Sequence, residues 1–348
     1  MAGRANVRLC SPAVHGLALA LVLCSTNACA FRNVVGSSPL ARTAYEQTYL
    51  PASHNWEFRS RYSEADRLFN AFDYGHAILY ETLLTHPTDG ARRLDGPELD
   101  FVLHRVLRHP PNVQLEEHAI GPTYTSLVPE LAAMFEWAHM LHRQIYDVWA
   151  DEWTGPAQKD AQIQRLLRYY RSRPDLAFSS QPKSMMLMEG QSYSLGFRRA
   201  SPKFNGLLWS YHWLQMTLYD ALMVGRDNVE RRANVDATIA RFWTMLDSAP
   251  SRMPSVMPMS AAIAPAFSTR YPEAAIIFDN LHSLHDVVGD ILISTAIPRS
   301  AKRRALLEVA ARFRDDTTAI TTRAEWLEMS HSMGVDRMGG LALPNVPR

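Results

Sequence analysis

Apolar residues recur at intervals of three and four along most of the chain, which is the period of an amphipathic α-helix. Alternation of apolar and polar residues, the pattern of a β-strand, is absent. Two segments rich in proline, serine and methionine, 172–203 and 248–271, are predicted to be irregular. The fold class is therefore predicted to be all-α. The predicted helices are 63–85, 96–109, 123–152 with a break near Pro129, 157–171, 205–224, 229–246, 272–296, 299–314 and 318–331.

One helical pattern occurs twice. PELAAMFEWAHMLHRQIYD begins at Pro129, and PEAAIIFDNLHSLHDVVGD begins 143 residues later at Pro272. A weaker match joins 69–83 to 204–222, since both segments begin with Phe-Asn, carry a histidine in mid-helix and end with Leu-Tyr-acid-x-Leu. The chain is thus predicted to contain two related halves, about 64–171 and 204–314, arranged with pseudo-two-fold symmetry around a four-helix core.

The first thirty residues have the features of an export signal. Arg4 and Arg8 precede an apolar stretch, and Ala28-Cys29-Ala30 is a small-x-small cleavage site. We expect a signal peptide at 1–30, an exported periplasmic or cell-envelope protein, a single helical domain at 31–333 and a disordered tail at 334–348. All three cysteines (Cys10, Cys24 and Cys29) precede the expected cleavage point, so the mature chain would lack thiolate chemistry. In the alternative, Cys29 carries a lipid, which would be the protein's link to a membrane.

The formal net charge of +1 gives no electrostatic reason to expect a nucleic-acid partner. Neither a Gly-x-Ser-x-Gly motif nor a glycine-rich phosphate loop occurs in the chain, so neither serine hydrolase nor nucleotide chemistry is indicated. The partner is instead predicted to be a metal or a small-molecule substrate.

Acidic and histidine side chains in the repeated helices indicate a metal site. Residues three apart share a helix face, so an acid and a histidine at this spacing can reach one ion. Two further helices each add an acid. The predicted ligands are Glu81, Glu136, His139, Asp220, Asp279 and His282.

This order of acid, Glu-x-x-His, acid and Asp-x-x-His resembles the ferritin-like di-iron carboxylate proteins. The resemblance covers these six residues and not the whole chain. It implies a centre of two iron ions that uses oxygen or peroxide to oxidise a small molecule, with manganese or zinc as other metals for this donor set. The chain departs from the pattern at Asp220 and Asp279, because a shorter carboxylate bridges two ions less readily.

A second interpretation uses the paired histidines, His76 with His212 and His142 with His285, as cofactor ligands. They would bind haem b, copper or zinc in a non-enzymatic carrier of the cell envelope. Covalent c-type haem is excluded, since no Cys-x-x-Cys-His motif occurs. The methionine-rich loop 253–259 could hold Cu(I), although methionine in such a loop more often serves packing.

A third interpretation is structural. Glu136 and Asp279 would cap helices or pair with arginines, and Asp147 and Asp290 would end or cap neighbouring helices. The protein would then be an interaction or scaffold protein with a buried polar network.

Overall fold

Helices make up most of the structure. The computed structural model describes residues 56–247 and 253–333, and these contain no β-strand beyond one isolated bridge between Lys183 and Ile320. The predicted all-α fold class is confirmed. The predicted signal peptide, the three cysteines and the predicted tail lie outside the described residues. No helix in the described ranges has the length and apolar character needed to cross a membrane.

The helices differ greatly in length, and several short ones lie between the long ones. In the first part of the chain they are α1 (Trp56–Arg61), α2 (Ser63–Thr85), α3 (Glu117–Ile120), α4 (Pro122–Leu127), α5 (Pro129–Ala150), α6 (Pro156–Arg171), α7 (Met186–Glu189) and α8 (Gly196–Ala200). Short α- and π-helical turns fill 90–106. The later helices are α9 (Pro202–Val224), α10 (Asn228–Asp247), α11 (Ser260–Ile263), α12 (Pro265–Arg270), α13 (Pro272–Ile293), α14 (Arg299–Arg314) and α15 (Arg323–Ser332).

The long helices lie close to their predicted positions. Proline occupies the first position of α4, α5, α12 and α13, where its fixed φ suits a helix and its missing N–H removes no helical bond. The predicted irregular segments were partly wrong, because α7 and α8 lie within 172–203 and α11 and α12 lie within 248–271.

Four long helices form the core. Both α2 and α5 contact α9 and α13. In α9 every residue from Phe204 to Leu222 is buried, and in α13 every residue from Ala274 to Leu292 is buried. A helix that is buried on all sides leaves its polar side chains without solvent. The acids and histidines of these helices must therefore find partners inside the protein.

Candidate metal centre

Six histidines meet in the middle of the four-helix core. They are fully or almost fully buried, with at most 2% exposure. Their rings pack against one another: the centroids of His76 and His285 are 3.8 Å apart, and those of His212 and His282 are 4.0 Å apart. The core helices contribute His76 (α2), His139 and His142 (α5), His212 (α9), and His282 and His285 (α13). All six histidines named from the sequence lie in this cluster.

Three of these histidines form a compact group of donor atoms. His76, His212 and His285 each offer one ring nitrogen, and the three nitrogens lie within 4.8 Å of one another. Neither ring nitrogen of any of the three has a hydrogen-bond partner of good geometry, although the Phe72 backbone is close enough to His76 to act on its pKa. Because a metal–imidazole bond is about 2.0–2.1 Å long, two ligands on opposite sides of an ion are separated by about 4 Å. One ion could therefore bind all three once the stacked rings of His76 and His285 rotate so that their nitrogens point to a common position. We call this group the inner triad.

The other three histidines have a different environment. Each has one ring nitrogen without a partner, while the other nitrogen is beside a polar side chain. Metal-binding histidines commonly have this arrangement, in which the outer contact fixes the tautomer and the ring orientation. The contacts are His139 Nδ1 with Asp73 Oδ1 (3.5 Å), His142 Nδ1 with the Tyr219 hydroxyl (2.6 Å), and His282 Nε2 with Gln215 Oε1 (3.1 Å). We call His139, His142 and His282 the oriented triad.

Burial keeps all six imidazoles neutral. It lowers the pKa of His76 and of His282 to about 3. It also lowers the pKa values of the other four well below the usual 6.5, with neighbouring histidines adding to the effect. A histidine binds metal through a deprotonated nitrogen. The cluster therefore presents available donors throughout the neutral pH range.

A buried ion pair adjoins the cluster. Asp73 accepts a hydrogen bond from Arg143 at 3.0 Å, and its second oxygen lies 3.5 Å from His139. Burial raises the pKa of Asp73 to about 6, although Arg143 acts in the opposite direction. Asp73 was not among the predicted site residues, yet it precedes His76 by three residues and so repeats the acid-x-x-His spacing on α2.

The acids predicted as metal ligands on α2 and α9 instead bind the first turns of short helices. Glu81 accepts hydrogen bonds from the backbone amides of Thr123 (2.9 Å) and Tyr124 (3.1 Å). Asp220 accepts from the amides of Ala266 (3.0 Å) and Phe267 (2.8 Å). These amides begin α4 and α12, neither of which has a side-chain cap of its own. The carboxylates satisfy the free N–H groups there and complement the helix dipole.

The acids on α5 and α13 have the same role. Glu136 accepts from the amide of Glu117 (3.2 Å), at the start of α3. Asp279 accepts from the amide (2.9 Å) and the hydroxyl (2.7 Å) of Ser260, at the start of α11. It also accepts from the indole of Trp326 at 2.8 Å. The structural interpretation of Glu136 and Asp279 as helix caps matches these contacts.

Asp147 and Asp290 complete this set of caps. Asp147 accepts from the amide of Phe58 in α1 at 2.9 Å. Asp290 accepts from the amides of Leu195 and Phe197 at the start of α8, both at 2.9 Å. Among the described residues, the inner triad is the only group of three or more acidic, histidine or cysteine side chains close enough to hold one ion. The expected ligand set of four carboxylates with His139 and His282 is therefore not assembled.

Two tyrosines make corresponding contacts across the core. The Tyr80 hydroxyl donates to the carbonyl of His285, and the Tyr219 hydroxyl donates to the carbonyl of His142, each at 3.1 Å. If these tyrosines are matched, an offset of 139 pairs His76 with Gln215, whereas the predicted repeat pairs His76 with His212. The internal repeat itself stays a prediction.

Comparisons of the chain with family models, curated proteins and solved structures found no match. The resemblance to ferritin-like di-iron proteins is neither supported nor refuted by them. The function is therefore inferred from the chemistry of the histidine cluster.

Proposed function

We propose that this protein binds a transition-metal ion through the inner triad of His76, His212 and His285. One observation carries the proposal: nine of the twelve ring nitrogens in the six buried histidines have no hydrogen-bond partner. Buried polar atoms in proteins nearly always have partners. An unsatisfied one costs about 1–3 kcal/mol. So many unpartnered donors in one place favour an ion as their shared partner.

The donor atoms favour copper or zinc. Imidazole nitrogen suits both metals, whereas manganese prefers oxygen ligands. The carboxylates that would have supported a di-iron centre are engaged by backbone amides. Haem b has less support, because the His76 and His285 rings stack 3.8 Å apart and leave no space for a macrocycle between them.

The surrounding charges allow a cation to bind. Asp73 adjoins the cluster through its 3.5 Å contact with His139, and it is paired with Arg143. Asp286 is fully buried on α13, and burial raises its pKa to about 7. A bound cation would favour the ionised forms of both acids and so lower their pKa values. The cation would thus gain compensating negative charge without a carboxylate ligand.

The histidines of the oriented triad do not form a compact group of donors by themselves, but their unpartnered nitrogens beside the inner triad favour a second candidate function, in which a second metal ion binds next to the first. The three imidazoles of the oriented triad each have one unpartnered nitrogen and one nitrogen beside an orienting side chain. The stacked rings of His212 and His282 connect it to the inner triad. Two adjacent ions with open coordination positions could take oxygen or peroxide and oxidise a small molecule. The number of ions bound per chain separates this candidate from a single-ion site.

The cell envelope is part of the proposal. Signal-directed export would place the mature protein where copper and zinc are met outside the cytoplasm. A mature chain that begins after Ala30 has no cysteine, so metal binding would depend on imidazole and thioether groups.

The test is a metal titration of the full-length, metal-free protein with Zn(II) and with Cu(II), followed by elemental analysis after desalting. We expect His212→Leu to weaken binding at least 100-fold. The matched control is His104→Leu, because the His104 side chain is 65% exposed and lies outside the cluster. This control should bind as the wild type does. Equal stoichiometry and affinity in the wild type and in folded His212→Leu would overturn the proposal.

A further inference from the structure

A second group of side chains that can bind a metal lies beside α13, outside the histidine cluster. There a cavity of about 10 Å³ is enclosed by α13, α15, the segment 182–188 and the loop that precedes α11. Five of its fourteen lining residues are methionine, whereas the whole chain has 15 methionines in 348 residues, an enrichment of about eightfold. The five are Met185, Met188, Met257, Met259 and Met329.

Thioether sulfur is a soft, uncharged donor that selects Cu(I) over harder ions. Methionine is flexible and ordinarily fills irregular gaps in a core. Here the methionines surround a space with room for about one water-sized sphere. A single monovalent ion fits such a space, and its low charge limits the cost of taking it out of water.

Neighbouring groups fix the lining and favour a cation. The Ser283 hydroxyl contacts the sulfur of Met257 at 3.6 Å. Asp279 holds the indole of Trp326, which also lines the cavity, and an indole face attracts cations. The lining also includes Lys183, but its ammonium group donates to the carbonyls of Asp315 (2.6 Å) and Thr318 (3.0 Å).

The cavity has access from the surface and lies close to the histidine cluster. Met188, Met257 and Met259 are buried, while Met185 and Met329 are partly exposed. Asp279 and Ser283 line the cavity on α13, and His282 lies between them in the sequence. On a helix these positions are about 60° and 100° from His282. The cavity and the histidine cluster thus both have α13 as a wall.

We propose that the methionine-lined cavity binds one Cu(I) ion through thioether sulfurs, as a site distinct from the histidine cluster. Access through the partly exposed methionines would let a copper donor reach it from the protein surface. This site does not depend on the proposed function of the inner triad. Its existence would make copper the preferred metal of the protein.

The test measures Cu(I) binding by the full-length protein, anaerobically, in competition with a chromophoric Cu(I) chelator, and repeats it with Ag(I). The double variant Met257→Leu/Met259→Leu removes two sulfurs with little change in volume. The matched control is Met245→Leu, a fully buried methionine of α10 that does not line the cavity. We expect the double variant to lose one Cu(I) and one Ag(I) equivalent, and the control to retain both.

Zinc titrations separate this site from the histidine cluster. The double methionine variant should bind Zn(II) as the wild type does, and His212→Leu should keep the thioether-bound Ag(I). The single variant Met188→Leu, with a smaller packing change, should weaken Ag(I) binding at least tenfold. Unchanged Ag(I) binding in the folded double variant, or an equal loss in Met245→Leu, would show that these methionines only pack.

Discussion

The hydroxyl of Tyr219 lies 2.6 Å from Nδ1 of His142 and donates to the carbonyl of the same residue at 3.1 Å. Because a hydroxyl has one proton, donation to the carbonyl leaves its oxygen to accept from Nδ1–H. His142 then carries its lone pair on Nε2, the nitrogen that has no partner in the protein. When the hydroxyl donates to the carbonyl, Tyr219 holds His142 in the tautomer whose Nε2 lone pair could bind a metal; donation to Nδ1 would instead place the proton on Nε2.

Tyr219→Phe should weaken the binding of a second ion that uses His142 as a ligand. Loss of a partner that orients a metal ligand commonly costs about 10–100-fold in affinity. The control is Tyr80→Phe, which removes a hydroxyl that donates to the carbonyl of His285 at the same 3.1 Å. Competition titrations with Zn(II) and Cu(II) would compare the two variants. Equal effects would mean that Tyr219 acts only through its backbone contact.

Removing a capping carboxylate should reduce stability and leave metal content unchanged. Asp220→Asn keeps the shape of the side chain but replaces one of the two oxygens that accept from amides at the start of α12 with an NH2 group. A buried amide left without its acceptor costs about 1–3 kcal/mol, so denaturant unfolding should show a loss of about 2 kcal/mol. Loss of a bound ion in folded Asp220→Asn, measured by elemental analysis, would instead support the carboxylate-based di-iron interpretation.

The same contacts explain what the sequence could and could not predict. The long helices follow from their apolar period, and α5 and α13 begin at prolines that mark helix starts. The short helices α11 and α12 were missed because the acids that cap them, Asp279 and Asp220, are 19 and 46 residues away. Local sequence patterns do not show such partners.

The histidines named from the sequence converge in the structure while the acids named beside them contact backbone amides, for a related reason. Glu136 and His139 are three residues apart, which places them on neighbouring parts of one helix face. That face is wide enough for His139 to point into the core while Glu136 reaches the amide of Glu117. Spacing indicates which residues can converge, but the packing of a short helix outside the core decides where each carboxylate points.

Metal-free protein should lose stability in acid through its histidines. The pKa of His76 is about 3 in the folded state against 6.5 as the ordinary value, so the unfolded chain binds more protons between these limits. The stability contributed by neutral His76 is therefore fully present above pH 6.5 and is lost as the pH falls towards 3. In His76→Leu the unfolding free energy should fall less steeply with decreasing pH than in the wild type. Below pH 6 the two slopes should differ by about 1.4 kcal/mol per pH unit.

The stability contributed by the buried acids depends on pH in the opposite direction from that of His76. Burial raises the pKa of Asp220 and of Asp279 to about 6, so their contribution is present below 3.8 and lost as the pH rises through 6. The wild type and His76→Leu both contain these two acids. The difference between their stability curves therefore reports only the contribution of His76. Parallel stability curves for the two proteins would refute a buried neutral His76.

Breaking the Asp73–Arg143 pair should be severely destabilising. Arg143 is fully buried and donates to Asp73 at 3.0 Å, with its guanidinium 4.2 Å from the Phe69 ring centroid. Arg143→Met leaves a buried acid unpaired, at an expected cost of about 3–5 kcal/mol. The double variant Asp73→Leu/Arg143→Met should recover most of this loss. A double-mutant cycle with no coupling would contradict the paired arrangement.

The most direct measurement of the central claim is X-ray absorption at the metal edge of the full-length protein loaded with one equivalent of zinc or copper. We predict a first shell of nitrogen at about 2.0–2.1 Å, with the outer-shell scattering of imidazole, and loss of this signal in His212→Leu. A first shell dominated by carboxylate oxygen, or an imidazole shell that persists unchanged in folded His212→Leu, would contradict metal binding by His76, His212 and His285.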